Sequence, residues 1–152
     1  AFKGFGQVIE VSDTAKTTTE SGIHKYWAGV AKTNIHAIFD FGLLTVKPRE
    51  RQVAEMRRYS KTATLLVSLR DDYLLVVAPP TPSIARRGFP DPAKVKVFMV
   101  AKEQAVILNM GVWHALPFVG GKEGLFLVAY RDGTARKKIS ETPFKKGEVI
   151  RF

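Results

Sequence analysis

The sequence predicts an all-β protein, an antiparallel sandwich or barrel, in a single domain over residues 1–152. Three observations carry this. About ten short segments are rich in β-branched or aromatic residues. Gly, Pro and Asp clusters separate them. No segment carries the broad apolar stripe of an amphipathic helix. At 152 residues the chain is long enough to bury one sizeable core.

The candidate strands run in order through "GIHKYWAGVA", "NIHAIFDFGLLTV", "RQVAEMRRY", "TATLLVSL", "YLLVVA", "KVKVFMVA", "QAVILN", "GLFLVAY", "RKKIS" and "EVIRF". "YLLVVA" and "GLFLVAY" are apolar on consecutive positions, as strands buried between two layers would be. Near Val95 the alternation with Lys94 and Lys96 has the period of two of a sheet with one wet face. Turns fall at "RDD", "APPTP", "GFPDP", "RDG" and "KKG". Only "RERQVAEMRRYSK" competes as a helix, and its apolar stripe is thin. The polar stretch "TAKTTTESG" at 14–22 reads as a surface loop, a candidate lid.

Lys and Arg number 24 against 14 Asp and Glu, a formal charge of +10. The basic residues are scattered through Lys47 to Lys61, Arg86 and Arg87, and Arg136 to Lys138, with acids between most groups. They read as solvated surface whose field draws in small anions, not as a nucleic-acid footprint. The chain has no cysteine, which excludes disulfides and thiolate chemistry and fits a reducing compartment. No apolar run reaches the ~20 residues of a membrane helix, and "AFKGFGQVIE" lacks a signal-peptide layout, so a cytoplasmic location is expected.

Motif by motif, "GFG" at 4–6 lacks the rest of a dinucleotide fingerprint and reads as a turn or a close backbone approach. "GGK" at 120–122 lacks P-loop spacing. There is no nucleophile elbow. Of the three histidines, His24 is ambiguous and His36 reads as a core or surface residue. The three are too far apart for an obvious metal set. His114 differs: it follows Trp113 and precedes "ALPF" at a strand bend where neighbouring side chains converge. A polar cluster from Glu55 through Arg57, Arg58, Tyr59, Ser60, Lys61 and Thr62 interrupts two otherwise apolar strands, so it is either exposed or lines a wet cavity.

"FGQVIE", "GIHKYW", "EMRRYSKTAT", "YLLVVAPP" and "VILNMGVWHALPF" occur in the order seen in the ureidoglycolate lyases, which the chain resembles over nearly its whole length. The most specific piece is Gly111-Val112-Trp113-His114 with Pro117, then Glu55 and Arg58. The resemblance implies a cupin-like antiparallel β-barrel or double-stranded jelly roll, usually dimeric. It also implies release of urea from ureidoglycolate to give glyoxylate, in purine and allantoin catabolism. The chain departs from the family pattern at four kinds of position. Tyr59 stands for a histidine, Thr64 for a glutamine, Asn109 for a histidine, and Ala115 and Leu116 for a histidine and a proline.

The implied chemistry moves protons from the carbinol hydroxyl to the leaving urea nitrogen. His114 suits either role, because imidazole titrates near neutrality. Glu55 or Tyr59 is its candidate partner. Arg58 and Lys61 are the candidates for the substrate carboxylate, Asn109 for the urea end, Thr64 for a further substrate contact, and Trp113 for a wall that orients His114. No cofactor is required, and a divalent metal, though chemically admissible, is disfavoured. The expected partners are a small-molecule carboxylate and a second copy of the chain, with neither nucleic acid nor membrane. Two other readings stay open: an enzyme for another small hydroxy- or keto-acid, and a non-catalytic carboxylate-binding cupin.

Overall fold

The computed structural model describes residues 2–10, 18–20, 25–28, 30–33, 37–82, 88–134 and 141–152. In chain order the strands are β1 (Gly6–Ile9), β2 (Thr19–Glu20), β3 (Lys25–Tyr26), β4 (Phe39–Val46), β5 (Gln52–Val53), β6 (Glu55–Met56), β7 (Thr64–Ser68) and β8 (Tyr73–Ala78). They continue with β9 (Lys96–Val100), β10 (Ala105–Leu108), β11 (Trp113–His114), β12 (Phe118–Val119), β13 (Gly124–Arg131), β14 (Thr142–Pro143) and β15 (Ile150–Arg151). Among the described residues the helical pieces are single 3-10 turns at Phe2–Gly4 and Pro92–Lys94. None is long and apolar enough to cross a membrane.

One sheet runs β1-β10-β7-β13-β4; the other is built on β8, which pairs with β9, β11 and β12. Small ladders join β14 to β6, β15 to β5 and β2 to β3, and every pairing is antiparallel. This is the all-β, jelly-roll type of architecture read from the sequence. Among the described residues the two main sheets are not hydrogen-bonded into a closed barrel.

Side-chain alternation explains the packing. In β7, Thr64, Leu66 and Ser68 are buried while Leu65 and Val67 are half-buried, the two-residue period of a strand with one covered face. β8 is covered on both faces. Tyr73, Leu75 and Val77 face a core shared with Leu66, Val106 and Phe126. Val76 and Ala78 face a second core with Met56, Trp113 and Phe144. Each fully buried large side chain here stabilises the fold by roughly 1.5–3 kcal/mol. "YLLVVA" therefore holds as a strand between two layers. β13 does not: Leu125 and Leu127 stay half-exposed, because among the described residues no second layer covers that part of the five-stranded sheet.

Other expectations shift in detail. Residues 49–61 form no helix; they carry β5 and β6, and Arg57 then makes an antiparallel bridge to His114. On β9 the wet side carries Val97 and Met99, while Phe98 and Val100 turn inward. At Gly6 a Cβ would lie 1.9 Å from the carbonyl oxygen of Ile107, so "GFG" is a close backbone approach. Of the loop at 14–22 only residues 18–20 are described, partly as β2. "RKKIS", His24, His36, Arg86, Arg87 and Arg136 to Lys138 lie outside the described residues.

Candidate active site

Trp113 and His114 are consecutive in β11, so their side chains leave opposite faces of the strand. Trp113 enters the core around Met56 and Phe144. Its Nε1 donates to Thr81 Oγ1 at 3.2 Å, and the Arg58 guanidinium lies 4.5 Å over the indole while donating to the same hydroxyl at 3.0 Å. His114 instead turns into a cavity of about 200 Å³ between the two sheets. The polar lining is Arg57, Tyr59, Thr64, His114 and Tyr130; the aliphatic lining includes Leu44, Leu66, Leu75, Leu108 and Val128. The Tyr59 ring lies 5.3 Å from the imidazole of one sheet and 5.9 Å from Tyr130 of the other, so it bridges the two.

His114 Nδ1 sits 3.1 Å from the Val112 carbonyl oxygen. A carbonyl only accepts, so Nδ1 carries the proton and Nε2 keeps a lone pair. Burial lowers the imidazole's pKa to about 4, with the Val112 hydrogen bond opposing and Arg57 reinforcing the shift, so the ring is neutral at pH 7. Burial raises the Tyr59 hydroxyl, while the charge and hydrogen bond of Arg57 pull it down. Tyr130 is likewise raised by burial, then by Tyr59 and Asp40. Arg57 donates through Nη2 to the Glu141 carboxylate, and its buried Nε–H has no protein partner. A hydrogen bond between Glu55 and Glu141 is the largest influence on both, raising Glu55 and lowering Glu141, which Arg57 also holds down. Arg49 donates at 2.7 Å to the carbonyls of Leu116 and Pro117, fixing the segment that closes one side of the cavity.

A family model described as ureidoglycolate lyase matches residues 1–151. The chain belongs to the ureidoglycolate lyase family. Among solved structures, this ureidoglycolate lyase family member is similar to the Lactobacillus farciminis oxalate decarboxylase in its formate complex, at 11% identity over 72% of this chain and 28% of that one, TM-score 0.48. It is also similar to the S161A mutant of the Bacillus subtilis oxalate decarboxylase, at 13% identity over 70% and 24%, TM-score 0.46. RmlC from Streptococcus suis in complex with dTDP-D-xylose matches at 6% identity over 62% and 44%, TM-score 0.44. The chain thus spans about a quarter of the length of the oxalate decarboxylases it matches. No curated protein sequence matches it.

In this family member the structure brings His114, Tyr59 and Thr64 together around one cavity. Arg58 and Trp113, expected beside them, lie on the opposite face of the bridge between residue 57 and β11, packed on each other and on Thr81. Trp113 therefore walls off a core and not the site. Glu55 is exposed on β6 and tied to Glu141, outside the cavity lining. Lys61 and Asn109 are exposed and also outside it; the Asn109 backbone N–H donates to Phe5. Among the described lining residues the cation is Arg57, which the sequence reading set no apart from its neighbours. The described lining residues do not form a metal-ligand set. His114 Nδ1 is committed to Val112, the remaining polar lining is Arg, Tyr and Thr, and no group of three or more His, Cys, Asp or Glu comes together among the described residues. Tyr130 and Gly42 are further lining residues that sequence reasoning missed. A glycine inside the apolar run "FDFGLL" was a usable signal, since strand-interior glycine often marks close approach by a ligand or backbone.

Proposed function

We propose that the chain cleaves ureidoglycolate to glyoxylate and urea in this cavity. One observation carries the reading: a neutral, buried imidazole presents an unprotonated Nε2 to a cavity shared with a protonated tyrosine and a guanidinium. Nε2 of His114 takes the proton of the carbinol hydroxyl as its oxygen becomes the carbonyl of glyoxylate. The carbon–nitrogen bond breaks, and Tyr59 protonates the departing urea nitrogen. His114 then returns its proton to the Tyr59 oxygen, so the pair ends as it began. The positive charge of Arg57 nearby lowers the cost of the transient phenolate. The guanidinium of Arg57, which lines the cavity, is suited to the substrate carboxylate. Burial is the main cause of the weakened base; an anion held there offsets the part that Arg57 adds.

The test is direct. Purified protein incubated with ureidoglycolate should release glyoxylate and urea in equal amounts. His114→Ala should slow this by about 10²- to 10⁴-fold, the usual contribution of a positioned acid or base. Unchanged release by a folded His114→Ala protein would remove the role given to the imidazole.

A further inference from the structure

The cavity is divided, and the division follows strand register. On the five-stranded sheet, Thr64 and Tyr130 stand at one end, next to Tyr59, Arg57 and His114. One inward step along the strands, Leu66 is paired with Val128 and Val128 with Gly42. Leu75 of the facing sheet and Leu44 complete this half. Its own side chains are hydrocarbon, and the Tyr130 hydroxyl stands at its border with the polar end. Space is left there because residue 42 has no side chain: a Cβ built at Gly42 would meet nothing closer than the Tyr130 hydroxyl at 4.0 Å.

Ureidoglycolate is polar at every end. Its carboxylate, hydroxyl and urea group can be met only by the Arg57, Tyr59, Tyr130 and His114 end, and any of them placed in the aliphatic half would lose hydrogen bonds to water without replacement. An alkyl group on the reacting carbon gains by entering that half, since it removes apolar surface from water on both sides. Resting on the lyase reading above, we propose that the aliphatic half holds a hydrocarbon substituent on the reacting carbon, so that the chain also cleaves 2-hydroxy-2-ureido acids bearing a short alkyl group. The reaction balances as for the parent compound. The bond from the carbon to the urea nitrogen breaks, the hydroxyl proton is carried to that nitrogen through His114 and Tyr59, and the products are urea and a 2-oxo acid. Gly42 then sets specificity by what it leaves empty.

The product side supplies stable probes. Calorimetric titration of the protein with glyoxylate, pyruvate, 2-oxobutanoate and 2-oxopentanoate should show affinity rising about three- to fourfold for each methylene buried. In Gly42→Val, and more weakly in Gly42→Ala, the gain between the shortest and longest acid should shrink, because the added methyls occupy the space the alkyl chain uses. Glyoxylate binding as tightly as the longer acids, or no acid binding at all, would overturn the proposal. Urea release from ureidoglycolate, measured on the same preparation, separates the two readings. Turnover with glyoxylate the tightest acid keeps the lyase and removes the substituent. The alkyl ranking without urea release removes the lyase reaction and, with it, the ureido substrates.

Discussion

Two neighbouring residues of β11 face two different kinds of interior. On the Trp113 side the indole N–H and the Arg58 guanidinium both end on Thr81, and the hydrocarbon around them is closed. On the His114 side a guanidinium N–H is buried without a partner, one ring nitrogen is left as an acceptor, and space remains. Buried polar groups that are satisfied by protein rigidify a core, whereas those left unsatisfied cost stability. The contrast separates a tryptophan packed in a closed core from a histidine that lines a cavity, although both are buried and adjacent.

The largest expected effect that breaks the comparison is on the closed side. Trp113→Ala empties the middle of a core and should destabilise the protein by about 3–5 kcal/mol, read as a lowered midpoint in denaturant unfolding. His114→Ala removes a smaller ring from an existing cavity and should leave most of the stability while abolishing most of the rate. A Trp113→Ala protein as stable as the parent would show that the two faces are not different in kind.

Much of the architecture was legible in the sequence because it rests on signals that local patterning carries. "YLLVVA" reads as a doubly covered strand from its unbroken apolar run, and β8 is one. His114 and Tyr59 were legible as candidates because a polar residue in an apolar context demands a reason, and both line the cavity. The phase of the arginine pair was not. Arg57 and Arg58 point to opposite faces, and which one meets His114 depends on the bridge of residue 57 to residue 114, a pairing between segments 57 residues apart that local pattern does not encode. The place of Glu55 was hidden too: it is exposed on β6 and tied to Glu141, across a pairing of β6 with β14 that spans more than eighty residues. Tyr130 was hidden at the end of an apolar run, where a tyrosine is unremarkable until the facing sheet is known.

A somewhat smaller effect follows from the buried imidazole itself. Its pKa is lowered from 6.5 to about 4 in the folded protein. Between these values the unfolded chain binds a proton that the folded one does not, so stability rises with pH across the window and is lost as pH falls from about 6.5 towards 4. The loss from this group reaches about 3 kcal/mol. Measuring unfolding free energy against pH for the parent and for His114→Gln sharpens the comparison, because carboxylates common to both cancel in the difference. A parent whose acid-side decline is no steeper than that of His114→Gln would place the ring in water and not in the cavity wall.

The smallest effects come from the two arginines, and they should differ in kind. Arg58→Ala loses a guanidinium stacked on Trp113 and one hydrogen bond to Thr81, worth about 1 kcal/mol together in this half-buried setting. The expected readout is a melting temperature lower by about 2–4 °C with KM for ureidoglycolate unchanged. Arg57→Ala removes the donor assigned to the substrate carboxylate, a charged hydrogen bond worth about 1.5–3 kcal/mol, so KM should rise by roughly ten- to a hundredfold. Because Arg57 also pairs with Glu141, the double change Arg57→Ala with Glu141→Ala keeps the test clean: it leaves no unpaired carboxylate behind, and the rise in KM should persist in it. If Arg58→Ala raises KM and Arg57→Ala does not, the strand phase that distinguishes the two faces of β11 is assigned the wrong way round.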